Sequence, residues 1–133
     1  MSERIETVVL DSQGMSAWIS QSRDVLAMIR SFHSMAAGLV ISANTVVEIS
    51  HARVNTARLN WVLSQIRIEP VTEHAAGASA ALLKQAGLHG HKYAIDATVA
   101  EMALRQPGPV AMLTSDVDDM ARLCGTRVRL IAI

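Results

Sequence analysis

At 133 residues the chain has room for one hydrophobic core and not for two. Half of its residues are apolar but only 3% are aromatic, which excludes a disordered chain and implies a core of Ala, Val, Leu, Ile and Met. Twelve basic residues balance twelve acidic ones, which excludes a protein that coats nucleic acid through its overall field and leaves only a local basic rim open. A single cysteine, Cys124, can form no internal disulfide, so a reducing cytoplasm is the expected compartment. Met1 to Arg4 precede the first strand without an apolar leader region, and no apolar run approaches the roughly 18 residues of a membrane span. A soluble intracellular protein, without membrane contact, is expected.

The first element is Val8-Val9-Leu10, three consecutive large apolar residues that predict a strand buried on both faces, with Asp11 at its C-terminal end. Ser12, Gln13 and Gly14 read as a turn. From Met15 to Ser34 the spacing of Trp18, Val25, Met28, Ile29 and Phe32 is helical, with a short break before a second helix capped by Ser22 or Asp24. Gly38 to Ile41 reads as the second strand, followed by a helix from Ala43 to about His51 capped by Ser42, and another from about Arg53 to Gln65. Ile66-Arg67-Ile68, stopped by Pro70, suits a short strand near a sheet edge. An alanine-rich helix from Thr72-Glu73 to Ala86 ends at Gly87, and its Ala75, Ala76, Ala78, Ala80 and Ala81 are expected to allow close helix packing.

Leu88 to Tyr93 reads as a polar loop containing His89 and His91, leading to a helix from about Ile95 to Arg105, which Gln106-Pro107-Gly108-Pro109 terminates. Val110 to Leu113 is the fourth strand, Asp116 to Leu123 a helix closed by Gly125, and Val128 to Ile131 the last strand. Strands and helices alternate with short connections. The expected fold is a single-domain, three-layer α/β/α sandwich around a mainly parallel sheet of about five strands. Met15, Met28, Met35, Met102, Met112 and Met120 are expected to fill the aromatic-poor core.

Ligands bind at the carboxyl ends of strands in such sheets, and acidic residues gather there. Asp11 ends the first strand, and Asp116, with Asp118 and Asp119 behind it, follows the fourth. Asp96 begins the helix after the His-Gly-His loop, and its neighbours Val99, Ala100 and Ala103 turn it inward. Glu48 shares a polar stripe with Asn44 and His51 and is surrounded by Val46, Val47 and Ile49, where an unpaired charge is costly. Each aspartate taken singly also suits a helix cap or a turn. Taken together they put four carboxylates in one cleft. Such a cluster needs a counter-charge, for which oxygen-preferring Mg²⁺ or Mn²⁺ is the natural choice.

In order along the chain, VVLDS, NTVVEIS, YAIDATVAEMA and MLTSDVDDMARL resemble the PIN-domain family, in particular the toxin ribonucleases of bacterial toxin–antitoxin pairs of the VapBC type. The likeness runs from the first strand to the last. It implies a PIN-like fold and a Mg²⁺- or Mn²⁺-dependent endoribonuclease whose catalytic and metal-binding quartet is Asp11, Glu48, Asp96 and Asp116. Ser12, Thr114 and Ser115 match its hydroxyl-bearing positions, with Asp119 as an accessory acid. The implied partners are an RNA substrate, a cognate antitoxin protein and a second copy of the chain. Gln13-Gly14 departs from the pattern, where small or apolar residues are more usual, and this bears on the start of the first helix and on substrate fit.

RNA phosphates would be received by His51, Arg53, Arg58 and Lys92, although a solvated helix face explains the first three nearly as well. Glu101 and Arg105 read as an ordinary surface pair at i, i+4. No Ser-His-Asp or Cys-His motif and no Gly-rich phosphate loop is visible. The alternative to a nuclease is a catalytically silent PIN-like or receiver-like regulatory domain. A receiver also uses strand-end aspartates and Mg²⁺, but it calls for a lysine after the last strand, where only Arg127 and Arg129 lie nearby.

Overall fold

Val8, Val9 and Leu10 are fully buried, as a strand covered on both faces requires, and they form the centre of a five-stranded sheet. The computed structural model describes residues 4–133; Met1, Ser2 and Glu3, on which part of the reading of the N-terminus rests, lie outside the described residues. The strands are β1 (Thr7–Leu10), β2 (Gly38–Ser42), β3 (Arg67–Glu69), β4 (Val110–Thr114) and β5 (Arg129–Ala132), in the order β3-β2-β1-β4-β5. Every pairing is parallel, with Val8 beside Leu39 on one side and Ala111 on the other. The helices are α1 (Ser12–Ile19), α2 (Arg23–Ser34), α3 (Ala43–Ile49), α4 (Thr56–Ser64), α5 (Glu73–Ala86), α6 (Gly90–Leu104) and α7 (Val117–Cys124).

Side chains alternate across the pleat. Val8, Leu10, Leu39, Ile41 and Leu113 pack with α1, α2, α3 and α4, while Val9, Val40 and Met112 pack with α6 and α7 on the other face. This is the three-layer sandwich expected. Its strand order excludes the receiver-like alternative, because flavodoxin-like and receiver sheets run 2-1-3-4-5. Here the order reverses between β1 and β4, and the crevice beyond their carboxyl ends is the place such a sheet offers a ligand. Met15, Met102, Met112 and Met120 are completely buried, and Met28 and Met35 pack against the core's margin. No helix is long and apolar enough to cross a membrane among the described residues.

Several local expectations are corrected. Gly14 is not a turn but the third residue of α1, fully packed: a Cβ there would stand 3.1 Å from the Leu113 carbonyl oxygen. The helix therefore starts at Ser12, with Asp11 as its N-cap. The loop before α6 shrinks to Gly87–His89, because the His89 ring accepts the His91 N–H and caps the helix at Gly90. Asp96 consequently lies in the second turn of α6 and caps nothing. Gly87 closes α5 in the left-handed conformation as expected, with φ +65.

α3 ends at Ile49 and α4 starts at Thr56, capped by Asn55, so Arg53 belongs to the connection and not to a helical stripe. On α5, Ala75 is buried but Ala76, Ala80 and Ala81 face outward; the helix packs through Ala75, Ser79 and the half-buried Leu82 and Leu83. Glu101 is buried, not a surface residue. It accepts from Arg105 Nε at 3.0 Å, and Arg105 reaches on to Glu69 at 3.3 Å, tying the end of α6 to the edge strand β3.

Candidate acidic site

Four separate elements bring their carboxylates to the crevice beyond β1 and β4. Asp11 comes from the end of β1, Glu48 from the last turn of α3, Asp96 from α6 and Asp116 from the start of α7. Asp11 is buried because it is clamped: its Oδ1 accepts the Gly14 N–H at 2.9 Å, as an N-cap does. Asp116 occupies the N-cap position of α7, but its side chain makes no capping bond. Instead its backbone N–H donates to Thr114 Oγ1 at 2.9 Å, leaving the carboxylate free. The capping explanation therefore holds for Asp11 alone, and there it uses one oxygen of two.

The four groups act on one another. Burial pushes the Asp96 carboxyl up to about 6, and the charges of Asp116, Glu48, Asp11 and Asp119 push the same way. Burial also raises Asp11, against hydrogen bonds from Thr114 and Gly14, with Asp116 adding to the rise. Glu48 is raised by desolvation first and then by Asp11 and Asp116, while a hydrogen bond from Ser12 pulls it down. Thr114 also reaches the quartet through the backbone, since its Oγ1 accepts the Asp116 N–H. Ser115 is exposed and lies beside the carboxyl end of the chain, in a shallow cavity with Ala132 and Ile133.

Glu48 corrects an expectation. It is exposed, and so is Val47, at 75%, so an apolar wall around it is not what makes this residue unusual. Its place is fixed by α3, whose Asn44 donates to Thr98 Oγ1 of α6 at 3.2 Å and whose Thr45 and Ile49 are buried. What marks Glu48 is its like-charged company. Among the described residues every ion pair joins Arg67 or Arg105 to Glu69 or Glu101, and none involves the quartet. A cluster of hard oxygen donors with no internal counter-cation fits a divalent ion such as Mg²⁺ or Mn²⁺. Among the described residues no three such groups already close around a common point. Mg²⁺ does not require that, since it keeps several waters and takes one or two carboxylates directly.

The four basic candidates part company. His51 and Arg53 line a groove of about 560 Å³ between α1 and the α3–α4 connection, together with Gln13 and Ile49; no member of the quartet lines it. His51 Nδ1 accepts the Arg53 N–H at 3.2 Å, so a neutral ring presents its other nitrogen as a donor. Lys92 is exposed in the first turn of α6, one turn before Asp96, with its ammonium 5.2 Å from the Tyr93 ring. Arg58 is elsewhere. Its Nη2 donates to the Trp18 carbonyl at 3.3 Å, its guanidinium lies 4.9 Å from the Trp61 ring centre, and its Nε is buried without a partner. It lines a second groove between α2 and α4, away from the acidic crevice. Cys124 is buried and its thiol is pushed up to about 11 by that burial, so it is no nucleophile. Gln13, which stands beside the groove, was noted in the sequence only as a departure from a pattern.

The sequence matches no protein-family model and no curated protein. Among solved structures the chain is similar to one in the crystal structure of VapBC2 from Rickettsia felis bound to a DNA fragment from their promoter. The likeness covers 96% of this chain and 98% of that one, with a TM-score of 0.73 and 16% identity. At that identity the match establishes the fold, which is the PIN-like one expected from the sequence.

Proposed function

We propose that this PIN-like chain is a metal-dependent endoribonuclease, the toxin of a toxin–antitoxin pair, that hydrolyses RNA phosphodiester bonds with Asp11, Glu48, Asp96 and Asp116 as its working groups. The observation that carries the reading is the quartet itself. Four elements deliver carboxylates to the sheet's switch point, where burial first and their like charges second raise Asp11, Glu48 and Asp96, and no ion pair among the described residues involves any of the four. A structural role does not account for the cluster, since only Asp11 caps a helix.

Asp11 and Asp96, the two more enclosed members, would hold Mg²⁺ or Mn²⁺ most directly, with Glu48 and Asp116 completing the shell through water. The ion supplies a bound water of lowered pKa and neutralises charge on the scissile phosphate. The chain's own contribution is placement. The Gly14 N–H fixes the Asp11 carboxylate, and Thr114 Oγ1 fixes the backbone of Asp116. His51 and Arg53, in the groove between α1 and the α3–α4 connection, would receive the phosphates that flank the cut.

The partner reading rests on the solved complex of the same fold. A cognate antitoxin would hold the enzyme in check, with a basic side chain placed against the quartet as a substitute counter-charge. Self-association into a homodimer is the companion expectation, and a monomer by light scattering at high concentration would end it. The nuclease itself is tested by incubating the purified chain with an RNA pool in Mg²⁺ and in EDTA. Cleavage in Mg²⁺ that EDTA and Asp96→Asn both abolish is expected. Equal cleavage in EDTA, or none in either, would overturn the assignment.

A further inference from the structure

Gln13 lines two cavities at once. One, of about 560 Å³, lies between α1 and the α3–α4 connection; the other, of about 350 Å³, lies between α1, α2 and the carboxyl end of the chain. No member of the quartet lines either one, but each is lined by a residue next to it in sequence: Ile49, which follows Glu48, in the first and Ser115, which precedes Asp116, in the second. Gln13 itself is exposed, sits two residues from Asp11, and its carboxamide enters no hydrogen bond among the described residues. An uncommitted donor–acceptor pair therefore stands on the ridge between two grooves, two residues along the chain from Asp11.

The larger groove has the makings of a nucleotide subsite. Its volume falls within the roughly 300–1,000 Å³ common for small-molecule sites. Ala17, Ile49 and Val54 give it apolar wall, against which a base can lie, while Arg53 and the free ring nitrogen of His51 supply positive charge and a donor for a phosphate. Single-stranded RNA is read in this way, by a splayed base held against a side-chain surface and bonded along its Watson–Crick edge. Resting on the nuclease reading above, we propose that this groove holds the nucleotide adjacent to the scissile phosphate and that the Gln13 carboxamide selects its base. Gln13 is then a specificity-determining residue, with Arg53 and His51 positioning the strand, and base choice is independent of overall charge.

The test has two arms. In the first, a randomised single-stranded RNA pool is cut in Mg²⁺ by wild type and by Gln13→Ala, and the cut positions are sequenced. Wild type should favour one base beside the cut, and Gln13→Ala should flatten that preference by about tenfold, within the range a side chain paired to a base edge supplies. In the second arm, fluorescent oligo-A, oligo-C, oligo-G and oligo-U are titrated onto Asp96→Asn protein with and without Gln13→Ala, and with Ser16→Trp, an exposed position whose indole would fill the groove. Gln13→Ala should level the affinities among homopolymers, and Ser16→Trp should lower all of them.

Mg²⁺-dependent cutting with an unchanged base profile in Gln13→Ala overturns this inference and leaves the nuclease standing. A wild type that cuts nothing overturns the nuclease, and the homopolymer arm then decides the inference alone: levelled affinities uphold it, and unchanged affinities end it.

Discussion

The Gly14 N–H donates to Asp11 Oδ1 at 2.9 Å, so the carboxylate that ends β1 is both the N-cap of α1 and a wall of the acidic crevice. The two roles separate by substitution. Asn caps a helix about as well as Asp, whereas Ala forfeits about 1 kcal/mol. Asp11→Asn and Asp11→Ala remove the same charge, so the difference between them isolates the cap. Both should abolish Mg²⁺-dependent cleavage, while urea unfolding should find the Ala variant less stable than the Asn variant by about 1 kcal/mol. Equal midpoints would remove the cap from the account.

Gly14→Ala tests how tightly α1 lies on the sheet. Ala is the better helix former by about 1 kcal/mol. Its Cβ, however, would stand 3.1 Å from the Leu113 carbonyl oxygen and 3.4 Å from Leu10 Cβ. The first of these is backbone of β4, an interior strand of the sheet, and cannot swing aside. Overpacking of this kind costs about 1–3 kcal/mol and should outweigh the propensity gain. A lowered melting temperature is expected, together with reduced cleavage, since Asp11 and Ser12 move with the helix start. An unchanged or raised melting temperature would show that the approach is loose.

Gly14 also shows where the sequence stops being legible. A glycine after a strand reads as a turn, and only the proximity of Leu113, some hundred residues on, reveals a helix pressed against the sheet. The strands were easier, because uninterrupted runs such as Val8 to Leu10 have no other use in so short a chain. The gathering of Asp11 and Asp116 followed from the rule that strand ends share an edge, and Asp96 joined them through the apolar and small neighbours that turn it inward on its helix. Glu48 was placed there for an unsound reason, since Val47 beside it faces water. His89 was read as part of a polar loop between helices, yet its ring accepts the His91 N–H and caps α6. Arg58 was beyond reach: its partner Trp18 lies forty residues earlier in the chain.

That difference predicts opposite behaviour for two arginines. Arg53 is exposed, lines the groove between α1 and the α3–α4 connection and forms no ion pair among the described residues. Arg53→Ala should weaken RNA binding by roughly three- to tenfold and leave stability within about 0.5 kcal/mol. With few phosphates engaged, the salt dependence should be shallow, at about −0.7 in log–log slope per phosphate neutralised. Arg58→Ala instead strips a cation from the Trp61 face and a hydrogen bond from Trp18, and should cost about 1–2 kcal/mol of stability while RNA affinity holds. Filter binding and urea unfolding on both variants decide the matter. Loss of RNA affinity in Arg58→Ala without loss of stability would return that residue to the substrate path.

Asp96 sets the pH dependence. Its carboxyl is pushed up to about 6 from 3.8, by burial first and then by Asp116, Glu48, Asp11 and Asp119. Between about pH 4 and pH 6 the folded chain therefore keeps a proton that the unfolded chain has released. A raised folded pKa means that the group's contribution to stability is fully present below the unfolded value and is lost as pH rises through the folded one. Two units correspond to about 3 kcal/mol, which water in the open crevice screens down to roughly 1 kcal/mol. In EDTA at pH 7, Asp96→Asn should accordingly unfold about 1 kcal/mol later than wild type, and at pH 4 the two should coincide. Added Mg²⁺ should stabilise wild type and do little for the variant, because a cation favours the ionised carboxylate that Asn lacks. Cleavage by wild type should fall as pH drops and protons compete with Mg²⁺ for Asp96, with a midpoint that moves below about 6 as Mg²⁺ is raised. An Asp96→Asn protein less stable than wild type at pH 7 without metal would mean that the carboxylate is paired in a way the quartet does not explain.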